Sequence, residues 1–198
     1  YGIQTLRKSI PVAQGVDIAL PAVEINDYPR FSYRGAMLDV SRHFFPVDSV
    51  KRFIDMLALH NINRFHWHLS EDQGWRIEIK KYPELTTIGS KRCGTCVKKD
   101  FNSTDGIPYG EGMWYTQDQV REIIAYAAAK GIDVIPEIDL PGHMLAALTA
   151  YPELGCTGGP YHVWTRWGIS DDVLCAGNEK VYTFLENVLS EVAELFPS

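Results

Sequence analysis

The feature that most restricts the fold is an alternation of short apolar runs with segments of helical periodicity. The apolar runs occupy residues 34–40 (RGAMLDV), 63–70 (NRFHWHLS) and 132–138 (IDVIPEI). Runs of this length and character are typical of strands that are buried on both faces. Such strands form a parallel sheet when helices connect them, because each crossover helix packs on a face of the sheet. The sequence therefore predicts an α/β fold.

Amphipathic helices are predicted between and after these strands. Apolar residues recur at helical spacing over 47–58 and over 181–196. A further helix begins at Thr116, which with Gln119 has the spacing of a capping box, and Gly131 stands where a glycine ends such a helix. Residues 1–12 predict a short helix before an extended stretch. Residues 73–80 predict a hairpin arm, and 89–115 and 151–178 predict long surface loops.

The unusual polar residues lie where the predicted strands end. They are Asp39, His68, Glu137 and Asp139. In an α/β barrel this edge carries the active site, and in a doubly wound sheet it forms the binding crevice. No glycine-rich phosphate-binding motif follows a strand, which argues against a nucleotide ligand. Only three clear strands are present, whereas a closed barrel needs eight, so the predicted fold is less than half of a barrel.

Glu137, Asp139 and His143 are one candidate group. The two carboxylates are two residues apart and therefore share a face of the strand, where they could carry out acid–base chemistry or bind substrate hydroxyls. The alternative is that they cap backbone amides near the adjacent prolines. Pro141 and Gly142 turn the chain and present His143, a position that favours a functional role.

A second group follows the next strand, in the string HWHLSEDQGW. His66 and His68 share a face, and with Asp139 they could hold a metal ion, as in a metal-dependent barrel hydrolase. The plainer interpretation is two histidines packed in the interior. We predict that Asp72 orients His143, because both residues leave adjacent strands at the same end. Glu71 is interpreted as a solvated loop charge.

Arginine and tryptophan side chains suggest carbohydrate as a ligand. Arg34 begins the first strand and Arg42 follows it, and a guanidinium group matches vicinal sugar hydroxyls as well as carboxylates. Each could instead be a structural ion-pair partner. The tryptophans Trp75, Trp164 and Trp167 could stack on sugars in a non-catalytic glycan-binding module, or they could fill the core.

Charge and cysteine content exclude some functions. A net charge of −6 argues against nucleic acid as the main partner, and no apolar run is long enough to span a bilayer. Cys93 and Cys96 form a single C-x-x-C pair, whereas a zinc site of this type would use two. Cys156 and Cys175 could form a structural disulfide or remain inert thiols.

Three long strings resemble one enzyme family. RGAMLDVSRHFFPVDSVKRFID, NRFHWHLSEDQGWRIEIKKYPEL and GIDVIPEIDLPGHMLAAL, in this order, resemble the catalytic barrel of the β-N-acetylhexosaminidases of glycoside hydrolase family 20. The resemblance implies a partial (β/α)₈ TIM barrel, with roughly the first three to four βα units present. Residues 31–198 would be the N-terminal half of that domain. Residues 1–30 would be a helix and linker from a preceding domain.

The resemblance also implies a reaction and a set of roles. The family removes terminal N-acetylglucosamine (GlcNAc) or N-acetylgalactosamine from glycans by a retaining mechanism in which the substrate's own acetamido group attacks the anomeric carbon. By motif match, Arg34 would bind the terminal sugar, with Glu137 and Asp139 beside it. Asp72 and His143 would support the catalytic acid. No metal or organic cofactor is implied.

One departure from the family pattern limits this expectation. The family's acid pair is an adjacent Asp-Glu, and this sequence contains no such dipeptide. We therefore expect a fragment that is inactive alone and that self-associates, or pairs with further polypeptide, through its open sheet edges. The glycan substrate implies an exported or lysosome-like compartment, although the N-terminal residues show no signal peptide.

Overall fold

A three-stranded parallel sheet organises the protein. The computed structural model describes residues 1–11, 15, 17–18, 20, 22–98, 100 and 102–197. In these ranges the strands β1 (Gly35–Asp39), β2 (Arg64–His68) and β5 (Asp133–Glu137) pair in the order β1-β2-β5, so β2 is central. A separate antiparallel hairpin consists of β3 (Ser70–Glu71) and β4 (Gly74–Trp75). All three predicted strands are confirmed, each one or two residues shorter at its ends.

Helices connect and flank the strands. The helices are α1 (Gly2–Ser9), α2 (Val47–Leu59), α3 (Glu84–Thr87), α4 (Gln117–Ala128), α5 (Leu145–Ala150) and α6 (Glu179–Leu195), with a 3₁₀ turn at Pro152–Leu154. The four longer helices were predicted, and α3 and α5 were not. Both are short, and both lie in segments to which the sequence patterns assigned no element. None of the described helices is both long and apolar enough to cross a bilayer.

The ends of α4 follow the sequence signals closely. The Thr116 hydroxyl accepts a hydrogen bond from the Gln119 backbone N–H at 3.1 Å, and the Gln119 side chain accepts one from the Thr116 N–H at 2.9 Å. Both bonds of the predicted capping box are therefore present. At the other end Gly131 has φ of +70°, and the N–H of Ile132 reaches back to the carbonyl of Ala127. This is the glycine-dependent helix stop that the sequence predicted.

The main core lies between the sheet and the helices. Phe65 and Trp67, which alternate along β2, are both fully buried. The Phe65 ring packs on Phe53 of α2 at 5.5 Å between ring centroids, and Trp67 packs on Tyr115 at 4.8 Å. The residues between them, such as His66, face the opposite side of the sheet. Met37 of β1, which is in register with His66, is 53% exposed on that side. One face of the sheet is therefore packed against helices while the other is open.

Candidate active site

The carboxyl ends of the three parallel strands form one row of ionisable side chains. Asp39, His68 and Glu137 are the last residues of β1, β2 and β5, and the register places them opposite one another. Parallel pairing brings equivalent strand ends to the same edge, which is why residues far apart in sequence meet here. The predicted gathering of polar residues at this edge is confirmed for these three positions. The carboxyl edge of the sheet therefore brings carboxylate and imidazole groups close together.

Glu71 is the centre of this site. It ends β3, directly after β2, and its side chain is only 1% exposed. Its carboxylate lies 3.1 Å from His68 Nε2 and 3.2 Å from Arg42 Nη2, and it makes a short hydrogen bond with His143 Nδ1. Burial raises the pKa of Glu71, but the bonds to His68 and His143 and the charge of Arg42 outweigh it, so the pKa lies below its usual range. Glu71 is therefore a buried anion with three cationic partners.

His68 carries a buried positive charge. Its ring is 4% exposed, and besides Glu71 its Nδ1 approaches Glu137 Oε2 at 2.7 Å, although the ring N–H does not point squarely at that oxygen. Burial lowers the pKa of His68, but the close contacts with the carboxylates of Glu71 and Glu137 and the charge of Asp39 outweigh it, so that the pKa is raised to about 9. His68 therefore stays protonated at neutral pH.

His143 is held in an unusual backbone conformation. It follows a cis Leu140–Pro141 bond and Gly142, and its φ of +57° lies in the left-handed region that a non-glycine residue rarely adopts. Burial lowers the pKa of His143, but the carboxylate of Glu71 raises it above its usual value overall. Nδ1 is occupied by Glu71, and Nε2 has no hydrogen-bond partner among the described residues. The second ring nitrogen is therefore available to a substrate or to another catalytic group.

The expected pair of Asp72 and His143 is replaced by Glu71 and His143. Asp72 is fully buried, and its two carboxylate oxygens accept hydrogen bonds from the backbone N–H groups of Leu145 at 3.1 Å and Ser170 at 3.0 Å. The reason is the β3–β4 hairpin, which turns the successive side chains of residues 71 and 72 to opposite sides. Asp72 thus fixes the start of α5 and the loop at 170, while Glu71, interpreted from sequence as a solvated charge, meets the imidazole.

Arg34 does not lie at this site. It precedes β1 and therefore sits at the amino end of the strand, opposite to the row of ionisable residues. Its guanidinium group donates to the backbone carbonyls of Asn61 at 2.6 Å and Phe31 at 2.6 Å, and it lies over the ring of Tyr1. The expectation that Arg34 lies beside Glu137 and Asp139 and binds the terminal sugar with them is thus corrected: the structure gives Arg34 backbone partners at the far end of the sheet.

Arg42 is the arginine at the carboxyl ends of the strands. It follows β1, and Asp39 holds it in place, accepting from the Arg42 backbone N–H at 3.0 Å and from Nη1 at 2.5 Å. Its other terminal nitrogen faces Glu71. The side chain is still 37% exposed, so it can meet a ligand as well as its two carboxylates. The sequence signal was available, because a residue that follows a parallel strand lies at its carboxyl end.

Glu137 and Asp139 lie at the same edge of the sheet. Glu137 lies 2.6 Å from His66 Nε2 and close to His68, and Asp139 Oδ2 is 4.0 Å from His143 Nδ1. Their side chains are 30% and 32% exposed, so both remain open to a ligand. The alternative interpretation as caps of backbone amides near the prolines is not what the structure shows for Glu137. Its partners there are histidine rings.

The comparisons with known proteins identify the family. Residues 31–198 match the family model described as glycosyl hydrolase family 20, catalytic domain. The chain belongs to this family. This family 20 chain is 49% identical, over its whole length, to a β-hexosaminidase of Porphyromonas gingivalis, of which it covers 25%.

Solved structures of family 20 confirm the fold. The chain superposes on the β-N-acetylhexosaminidase of Streptomyces coelicolor with a TM-score of 0.86 and 42% identity, over 100% of this chain and 38% of that one. A Streptomyces plicatus β-hexosaminidase variant in complex with the product GlcNAc gives a TM-score of 0.86 with 41% identity. The predicted partial TIM barrel is thereby confirmed. The chain spans about a quarter to two fifths of the length of these relatives.

The structure gathers a different set of metal-ligating atoms from the one the sequence suggested. Ligand atoms of Glu71, Asp139 and His143 lie within 4.8 Å of one another, whereas within the described ranges His66, His68 and Asp139 form no such group. His66 and His68 contact Glu137 instead.

The tryptophans divide between core and surface. Trp75 is fully buried and donates its indole N–H to the carbonyl of Ile77 at 2.6 Å, so it belongs to the core and cannot stack on a sugar. Trp164 is half-buried and Trp167 is 41% exposed, and both line a groove that also contains Arg42. Only the latter two remain candidates for contact with a ligand.

Proposed function

We propose that this chain provides the sugar-holding side of a β-N-acetylhexosaminidase active site. The enzyme would remove terminal N-acetylhexosamine residues from glycans by the retaining, substrate-assisted route of its family. The observation that most strongly supports this proposal is that Arg42, Glu71 and His143 meet at the carboxyl end of the strands. This is the edge where barrel enzymes bind substrate. The complex of a relative with GlcNAc supports the same class of ligand.

The geometry suggests a role for each of these side chains. Arg42 offers a guanidinium group that two carboxylates orient, which suits hydrogen bonding to the hydroxyls of a terminal sugar. The charge of Glu71 favours the protonated form of His143, whose free Nε2 can donate to a catalytic carboxylate. Glu137 and Asp139 lie at the same edge as further hydroxyl acceptors. Asp72 supports the site indirectly through the backbone bonds described above.

Kinetics of two arginine variants test this proposal. The experiment uses the natural polypeptide that carries this sequence and a chromogenic GlcNAc glycoside. Arg42→Gln should raise KM and lower kcat/KM by roughly 100-fold, because the loss of a charged hydrogen-bond donor costs about 2 to 3 kcal/mol. Arg34→Gln is the matched control, since it removes a guanidinium group from the opposite end of the sheet. Equal effects of the two variants on KM would contradict the proposal.

We further propose that the 198-residue polypeptide is inactive alone. The family's adjacent Asp-Glu pair is absent from the sequence, so no general acid is available beside His143. The test is the same chromogenic assay on the isolated polypeptide. Turnover clearly above the background rate would refute this part of the proposal.

Self-association of the isolated polypeptide is a related proposal. Within the described ranges β5 pairs with β2 on one side only, and its free side borders an apolar groove lined by β5, by Ile124 of α4 and by Phe196. Unpaired strand edges and apolar grooves favour pairing with another chain. Light scattering should show dimers or larger species that dissociate on dilution. A stable monomer of 22.4 kDa would contradict this expectation.

The cellular compartment and the role of residues 1–30 are also proposals. The glycan substrate favours an exported or lysosome-like compartment, and residues 1–30 are proposed to lead from a preceding domain into the barrel. In support of the latter, α1 buries none of its residues and leaves Ile3 79% exposed. An apolar side chain exposed to this extent suits a helix that packs on a further domain.

A further inference from the structure

A groove with an unusual charge lies beside the candidate active site. It has a volume of about 770 Å³ and shares Asp39 and Arg42 with the site. Its remaining walls come from the segment 92–98 and the segment 164–169. We call it the cationic groove. A sugar held by Arg42 would have part of its ring or its substituents in this groove.

Positive charge in the cationic groove exceeds negative charge. Four cationic side chains line it, against the single carboxylate of Asp39, which is already paired with Arg42. Lys98 and Arg166 are exposed, and no carboxylate of the described residues lies within ion-pair distance of either. This excess is opposite in sign to the net charge of −6 of the whole chain. The groove is therefore a local positive region on an acidic protein.

Buried arginines beneath the groove strengthen this field. Arg92 is 5% exposed and lines the groove, and its guanidinium group donates to the backbone carbonyls of Gln73 and Arg42, each at 2.8 Å. Arg92 also donates to the hydroxyl of Thr95 at 3.1 Å, and the fully buried Arg76 donates to the backbone carbonyls of Ser41 and Ser90. Burial and the charge of Arg92 together lower the pKa of Arg76 to about 10. Two buried cations without a carboxylate partner make the binding of an anion nearby favourable.

The groove wall also contains polar atoms without partners. Trp164 Nε1 and Gln73 Oε1 are buried, and neither has a hydrogen-bond partner among the described residues. An unpaired buried polar atom costs roughly 1 to 3 kcal/mol, a cost that a ligand group reaching it would offset. The indole N–H can donate to an anionic oxygen, and the amide oxygen can accept from a hydroxyl. Together they match a glycan that carries both kinds of group.

We propose that the cationic groove recognises an anionic substituent, either a sulfate ester or a carboxylate, on the glycan whose terminal sugar is held at Arg42. This inference rests on the proposed function for the position of the sugar. It extends that function, because it assigns a preference for charged glycans. Lys98 and Arg166 are its specificity-determining residues, and the buried Arg92 contributes to the field.

Binding measurements on the natural polypeptide that carries this sequence test the proposal. The probes are GlcNAc, its 3-sulfate, its 6-sulfate, and N-acetylmuramic acid, which is GlcNAc with a carboxylate-bearing group on O3. At low salt at least one charged sugar should bind about tenfold more tightly than GlcNAc, and added salt should reduce this advantage. Tighter binding of the sulfates indicates a sulfate ester as the natural group. Tighter binding of N-acetylmuramic acid indicates a carboxylate.

Variants distinguish binding in the cationic groove from a general effect of surface charge. In the double variant Lys98→Gln/Arg166→Gln the ratio of charged to neutral affinity should fall to about one. Arg121→Gln, which removes an exposed arginine from α4, is the control and should leave that ratio unchanged. Equal affinity of all four sugars for the unmodified protein would overturn the proposal, as would a ratio that survives the double variant. Hydrolysis of a neutral chromogenic GlcNAc glycoside, measured in parallel, reports on the proposed function independently.

Discussion

The histidine at the end of β2 should make the stability of the protein depend on pH in the neutral to alkaline range. His68 has a pKa of about 9 in the folded protein, against 6.5 for an ordinary histidine. A pKa raised on folding means that the folded state binds a proton that the unfolded state releases. The resulting stabilisation is fully present below pH 6.5 and is lost as the pH rises through about 9. The difference between the two pKa values corresponds to roughly 3 to 4 kcal/mol.

The substitution His68→Gln isolates this contribution. Glutamine keeps hydrogen-bonding groups in place but carries no charge, so Glu71 and Glu137 lose their buried cation. In urea unfolding between about pH 6 and pH 10, the unmodified protein should be more stable than the variant at the acid end by roughly 3 to 4 kcal/mol. The two stability curves should converge at the alkaline end. Groups that titrate in both proteins cancel in the comparison.

Two results would refute this reasoning. Parallel stability curves for the two proteins across the whole range would show that His68 does not take up a proton on folding. A direct NMR titration of the imidazole with a midpoint at or below 6.5 would show the same. Either result would remove the buried cation between Glu71 and Glu137 on which the electrostatics of the site depend.

Three further predictions concern other parts of the molecule. Glu71→Gln should lower kcat/KM roughly 100-fold and move the alkaline limb of the pH–rate profile to lower pH. Asp72→Asn should mainly lower the free energy of unfolding, by about 1 to 3 kcal/mol. Steady-state kinetics and urea unfolding of both variants separate the two roles. The thiols of Cys156 and Cys175 are free in the structure, and the neighbouring Cys175 thiol raises the pKa of Cys156. They should form a disulfide in air worth about 3 kcal/mol; a mass loss of about 2 Da, reversed by reductant with a drop in stability, checks this. Thr116→Ala should cost about 1 kcal/mol through loss of the α4 cap, and Thr116→Ser should restore most of it in the same unfolding assay.

The elements of the fold were accessible from local sequence patterns. Apolar runs located the three strands, and the capping residues Thr116 and Gln119 and the terminal Gly131 located α4. The rule that parallel strands share one functional edge also placed Asp39 and Glu137 together. These features depend on periodicity and backbone preferences within a few residues, which a sequence displays directly.

The pairing of side chains within the site was less accessible. Glu71 and Asp72 are adjacent carboxylates, and only the geometry of the β3–β4 hairpin decides which one meets His143. Adjacent residues of an extended segment point to opposite sides, so an uncertainty of one residue in register exchanges their roles. The choice between Arg34 and Arg42 could have been made from the sequence. A residue that precedes a parallel strand lies at the amino end of the sheet, and a residue that follows it lies at the carboxyl end. That signal was present and pointed to Arg42.

The most direct test of the central claim is a crystal structure of the natural polypeptide that carries this sequence, with GlcNAc bound. We expect the sugar at the carboxyl ends of β1, β2 and β5, with the Arg42 guanidinium group on its hydroxyls. Glu71, and not Asp72, should contact the His143 ring beside it. A sugar bound instead in the hollow around Arg34, with no contact to Arg42, would contradict the account.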